Sequence, residues 1–118
     1  MKAITHEIRN WGEFFVLDEY EHVKVKRLVI KDGKNISYQY HNHRNEFWTV
    51  AKGNGQLVLD GIMSNISVGD SIVINIGVKH SVKAINGDLI IAEVQYGDKC
   101  DEEDIIRITR DFSSLMKK

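Results

Sequence analysis

The 118-residue chain carries 16 basic and 17 acidic side chains, a formal charge of −1, and is 42% hydrophobic and 28% charged. That length suits a single domain over 1–118, and the composition is that of a folded globular chain rather than a disordered one. Near-neutral charge excludes the basic surplus that a nucleic-acid grip needs to displace counterions, so any anion site must be a local cluster of Lys and Arg. The lone cysteine, Cys100, rules out an internal disulfide and fits a reducing cytoplasm. The opening residues lack the apolar run of a signal peptide, and no stretch approaches the ~18 apolar residues of a membrane span.

With no proline in the chain, turns must rest on Gly, Asn and Asp. Short β-type runs are expected at 13–17, 23–30, 36–43, 47–51, 56–60, 71–75, 80–85 and 88–96. Turns fall between them at Lys31-Asp32-Gly33-Lys34, Lys52-Gly53-Asn54-Gly55, Asp60-Gly61, Val68-Gly69-Asp70 and Asn86-Gly87-Asp88. Asn86-Gly87 is a strong hairpin signal, since both residues tolerate positive φ. Residues 102–116 have weak helical periodicity, with β-branched Ile105, Ile106 and Ile108 equally suited to a strand. Eight or more short strands with tight turns imply an all-β jelly-roll barrel.

Within 36–43, alternation puts Gln39, His41 and His43 on one strand face and Tyr38, Tyr40 and Asn42 on the other. Two imidazoles so spaced can reach one metal ion. His80 follows the turn Gly77-Val78-Lys79, where a barrel can bring it opposite the pair, and Glu46 adds a carboxylate. Such a set suits one divalent ion: zinc first, with Mn, Fe, Co or Ni as alternatives. His6 and His22 lack this context and read as surface residues.

Gly33, His41-Asn42-His43-Arg44-Asn45-Glu46 and Gly53 resemble the first motif of the cupins. Gly69 and Asn75-Ile76-Gly77-Val78-Lys79-His80 resemble the second, with Asn75 where that motif carries proline. The resemblance implies a cupin-type double-stranded β-helix. Over roughly 9–112 the chain is similar to one branch, the cupin domain of type II phosphomannose isomerases, which often follows a mannose-1-phosphate guanylyltransferase domain. The matching stretches are Arg9-Asn10-Trp11-Gly12, Lys24-Val25-Lys26, 37–48, Glu93-Val94-Gln95-Tyr96-Gly97, Glu103-Asp104-Ile105-Ile106-Arg107 and Asp111-Phe112. Asn10 also replaces a family proline, and Phe112-Ser113-Ser114 stand where the family closes on Tyr-Gly-Arg. No guanylyltransferase segment lies in these residues, so nucleotide transfer is not expected of them.

The resemblance implies interconversion of mannose 6-phosphate and fructose 6-phosphate. That reaction needs a base near C1 and C2, an electrophile for the enediolate, and cations for the phosphate. Glu93 is then either the base or a group that orients a ligand, and Gln95 shares its strand face for substrate binding. Arg107, Arg44, Lys24 and Lys26 are the candidates for phosphate. Gln39 rivals His43 and Glu46 for the metal, because a Gln-x-His pair serves other phosphomannose isomerases. The resemblance also implies a homodimer with no membrane partner. The alternative function is a non-catalytic metal- or sugar-binding cupin accessory to polysaccharide synthesis. A metal-dependent oxygenase is a third reading, supported only by the ligands themselves.

Overall fold

The computed structural model describes residues 3–116. Nine strands form: β1 Thr5–Arg9, β2 Gly12–Glu19, β3 Val23–Ile30, β4 Tyr38–Tyr40, β5 Arg44–Leu59, β6 Ile62–Ser67, β7 Ser71–Ile74, β8 His80–Gly97 and β9 Ile106–Thr109. A 3-10 turn at Phe112–Met116 follows. No helix among the described residues is long and apolar enough to cross a membrane.

The long strands β5 and β8 pair along nearly their whole length, from Arg44↔Gly97 to Leu59↔His80, and each serves two layers. In the first layer the late half of β8 pairs β3, and the early half of β5 pairs β7, giving the order β1-β2-β3-β8-β5-β7. In the second layer the early half of β8 meets β4, and the late half of β5 meets β6, giving β9-β4-β8-β5-β6. The jelly-roll barrel expected from the sequence is therefore what forms.

Two expected turns are bends within these strands rather than hairpins. Lys52-Gly53 and Asn86-Gly87 face each other where the register jumps from Lys52↔Ile90 to Asn54↔Ile85. Their positive φ angles (Gly53 92°, Asn86 55°, Gly87 129°) turn the paired strands from one layer to the other. A Cβ on Gly53 would sit 2.2 Å from the Asp88 carbonyl oxygen, which only glycine allows. By contrast, Asp60-Gly61 is a true two-residue hairpin closing Leu59↔Ile62. Strand 36–43 also shortens: β4 ends at Tyr40, and His41–His43 form a bend before β5. Strands β1, β6 and β9 were not expected as such. The ambiguous tail divides into strand β9 and the 3-10 turn.

Side chains facing inward change character along the first layer. In register across β3, β8 and β5 lie Lys24–Gln95–Glu46, then Lys26–Glu93–Trp48, then Leu28–Ile91–Val50. The apolar rows join Phe14, Val16, Ile30, Ile72, Ile74 and Leu89 in the core, which Leu57, Ile66, Val82 and Ala84 complete from the second layer. The polar rows leave one end of the barrel lined with buried charge. Burial without partners would cost several kcal/mol per ion, so these groups must pair, and they do.

Candidate metal centre and cavity

At the polar end, His41, Glu46 and His80 place their ligand atoms within 4.8 Å of one another, all three residues being buried. His41 Nε2 is 3.1 Å from Glu46 Oε2, and His80 Nε2 is 3.7 Å from Glu46 Oε1. The His41 Nδ1–H donates to the Asp104 carbonyl at 2.6 Å, and the His80 Nδ1–H donates to the Val78 carbonyl at 2.9 Å. A carbonyl only accepts, so each ring, when neutral, carries its proton on Nδ1 and presents Nε2 as a lone pair. His80 Nε2 is buried with no hydrogen-bond partner. Two imidazole lone pairs and a carboxylate converging in a water-poor space are a donor set for a divalent ion. The residues present thus fit the metal that the motifs imply.

Glu46 is heavily partnered. Arg44 Nε donates to its Oε2 at 2.9 Å and Trp48 Nε1 to its Oε1 at 3.1 Å. Burial alone would raise its pKa, but the Arg44 guanidinium, together with the hydrogen bond and positive charge that His41 and His80 offer when protonated, outweighs burial and holds it well below the usual carboxylate range. Burial lowers His80, so its ring stays neutral and able to ligate. Glu93 goes the other way. Burial, then the neighbouring Glu46 charge, pushes its carboxyl up to about 8 against the pull of Lys26 and Arg44. Trp48 Nε1 bridges the two acids, donating to Glu93 Oε1 at 2.8 Å, while Gln95 Nε2 donates to Glu93 Oε2 at 2.7 Å. Two adjacent carboxyls with pKa values driven apart are a pattern suited to acid–base chemistry.

Glu46, Trp48, Glu93 and Gln95 floor a cavity of about 150 Å³, beside which His41 and His80 lie outside the lining. Its wall includes Gln39, Arg44, Glu46, Glu93 and Gln95, with Trp11 and Phe14 on the apolar side and Arg9, Arg107 and Arg110 also lining it. Gln39 brings its amide nitrogen to 3.5 Å from His41 Nε2, while its oxygen accepts from Ser37 Oγ. Arg107 is exposed, and among the described residues it has no ion-pair partner.

The structure does not bring His43 into the metal group. The expected strand alternation fails because the chain bends at 41–43, and the His43 side chain is 42% exposed, near Asp98 at 3.4 Å. Glu46 takes the third place instead. Lys24 and Lys26 are buried, but both converge on Glu102 Oε2, at 3.1 and 2.6 Å; only Lys26 lines the cavity. Arg44 is turned inward onto Glu46 and the Asp101 carbonyl. Sequence reasoning missed four contributors: Trp48, Glu102, Asp104 and Arg110. Trp48 was legible in principle, two residues beyond Glu46 on the same strand face. The others come from the segment after β8, whose path over the barrel end no local pattern reveals.

A family model described as mannose-6-phosphate isomerase C-terminal matches residues 1–110. A mannose-1-phosphate guanylyltransferase 2 of Escherichia coli O157:H7 is 35% identical over 109 residues, 88% of this chain and 22% of that protein. The xanthan biosynthesis protein XanB of Xanthomonas campestris is 33% identical over 100 residues, 84% of this chain and 21% of that protein. The chain thus spans about a fifth of the length of the curated relatives it matches. Among solved structures, an oxalate decarboxylase of Bacillus subtilis superposes with a TM-score of 0.78 at 15% identity, covering 88% of this chain and 30% of that one. KdgF from Halomonas sp. superposes at 0.70 and 13% identity, covering 77% and 84%. At such identities these two share the fold alone, the double-stranded β-helix of the cupins. On the match to its family model and on this barrel, the chain belongs to the mannose-6-phosphate isomerase C-terminal family of cupins.

Proposed function

We propose that this chain is a metal-dependent aldose–ketose isomerase that interconverts mannose 6-phosphate and fructose 6-phosphate. The observation that carries this reading is one cavity lined by Glu46 of the His41–Glu46–His80 group, by the raised Glu93 carboxyl and by arginines, with His41 and His80 packed beside it. His41, Glu46 and His80 would hold the ion, with Gln39 alongside. A divalent ion held there, zinc first among the candidates, would supply the Lewis acidity that the sugar carbonyl needs for proton transfer at the neighbouring carbon. Glu93 keeps a proton near neutral pH and is positioned by Trp48 and Gln95 to exchange it with the cavity. Arg107, unpaired and on the wall, meets the phosphate of the substrate. The names of the relatives support a sugar-phosphate setting.

The test is conversion of mannose 6-phosphate by the purified chain loaded in turn with Zn, Mn, Co, Fe and Ni. Turnover that a chelator abolishes and metal restores is expected. A protein that binds metal yet turns over no sugar phosphate with any ion overturns the proposal. That result would favour the second reading, a binding module without catalysis. One observation speaks for it: Lys24, Lys26 and Arg44 are all neutralised from within, leaving few cations free for a phosphate.

A further inference from the structure

Two of the three ligand residues are set by the sheet. Glu46 lies within β5, paired to Ile74 and Gln95 on either side, and His80 begins β8, opposite Leu59 and Gln39. His41 has no such support, because β4 ends at Tyr40 and β5 starts at Arg44. A backbone in a three-residue bend has many conformations open to it, and most would point the ring elsewhere. Something outside the ladder must hold it.

That role falls to the segment between β8 and β9. Asp104 Oδ1 accepts from the Asn42 N–H at 2.9 Å, and Oδ2 accepts from the His43 N–H at 2.8 Å. The same residue's carbonyl accepts the His41 Nδ1–H at 2.6 Å. Asp104 thus clamps the bend with both carboxylate oxygens and sets the ring's tautomer with its main chain. The two backbone bonds draw its pKa below the ordinary value despite partial burial, as expected for a carboxylate held by N–H groups. The Gly77 N–H, donating to the His41 carbonyl at 2.9 Å, and the Lys99 N–H, donating to the His43 carbonyl at 3.5 Å, add main-chain ties on this bend.

We infer that Asp104 is a positioning residue that sets metal affinity by holding the one ligand, His41, that the sheet does not fix. The inference rests on the metal group described above, not on isomerase activity. Carboxylates and carbonyls behind ligating histidines typically govern affinity by about 10–100-fold. The Asp104 side chain acts one step further back, on the backbone, so its loss should cost roughly tenfold or more.

The test compares wild type, Asp104→Ala, Asp104→Asn and Asp98→Ala by competition titration of Zn²⁺ against a chromophoric chelator. Nitrogen-15 NMR of the histidine rings reports the His41 tautomer in the metal-free proteins. Asp98 lies on the same segment but touches only His43 at the surface, so its variant measures disturbance of the segment alone. The expected order of Zn²⁺ affinity is wild type equal to Asp98→Ala, then Asp104→Asn, then Asp104→Ala. Asn keeps one acceptor and about the same size, so it serves if the alanine variant does not fold. The His41 Nδ1–H form should dominate in wild type and give way to a tautomer mixture in Asp104→Ala. Wild-type affinity with an unchanged tautomer in both Asp104 variants overturns the inference, as does an equal loss in Asp98→Ala. If wild type binds no metal, the metal reading fails, and the tautomer measurement still decides the role of Asp104.

Discussion

Glu93→Gln should make the metal-free protein more stable relative to wild type as the pH rises. The Glu93 carboxyl is pushed up to about 8 from an ordinary 4.5. Between those values the unfolded chain has released this proton and the folded chain has kept it. Folding therefore takes up a proton, and this group's contribution to stability falls as pH rises, by about 1.4 kcal/mol per unit. From pH 5 to pH 7 the loss is about 2–3 kcal/mol, complete only above the folded pKa. Glutamine keeps the shape and still accepts from Trp48 Nε1. Turning the Gln95 amide, whose Oε1 has no partner, offers the new amide group an acceptor. His80 works with the opposite sign: its pKa is lowered by burial, so its contribution grows as pH rises through about 6.5. It is present in both proteins and cancels in the difference between them. The assay is urea unfolding of both proteins in chelator at pH 5, 6 and 7. The variant should gain about 2 kcal/mol on wild type across that range. A stability difference that does not change with pH would show that Glu93 ionises near its ordinary value, and would refute the reading of this acid as a proton store.

Arg107→Ala should raise KM for the sugar phosphate roughly tenfold or more, the worth of one charge-assisted hydrogen bond, with a smaller change in kcat. An unchanged KM in steady-state kinetics would make this side chain mere surface. Gly53→Ala should destabilise by about 3 kcal/mol, since the added Cβ meets the Asp88 carbonyl at a positive φ. Gly61→Ala, where nothing lies within 4 Å, should cost only about 1 kcal/mol from backbone conformation alone. Equal thermal shifts for the two variants would remove steric closure as the reason for Gly53.

By itself the sequence determined the all-β class, the place of most strands, the Asp60-Gly61 turn and the family. Each rests on local signals: alternation of period two, turn residues that tolerate positive φ, and short motifs read in order. Alternation along β5 also puts Glu46 and Trp48 on one inward face, but the expected strand begins only at residue 47 and leaves that pairing unread. Alternation failed at His43, because a two-residue period holds only while the strand lasts, and the strand stopped at Tyr40. Asn86-Gly87 misled for a related reason. Positive φ marks a change of direction, but whether it closes a hairpin or bends a continuing strand depends on what lies opposite, here Gly53 on β5. Only the tertiary structure decided that Glu46 stands between His41 and His80, that Glu102 neutralises Lys24 and Lys26, and that Asp104 holds the bend at His41. Those contacts join residues some 60 to 80 positions apart in the case of Glu102 and Asp104, and no period along the chain encodes a separation that long. It is set by how two long strands bend together and by where the segment after them comes to rest.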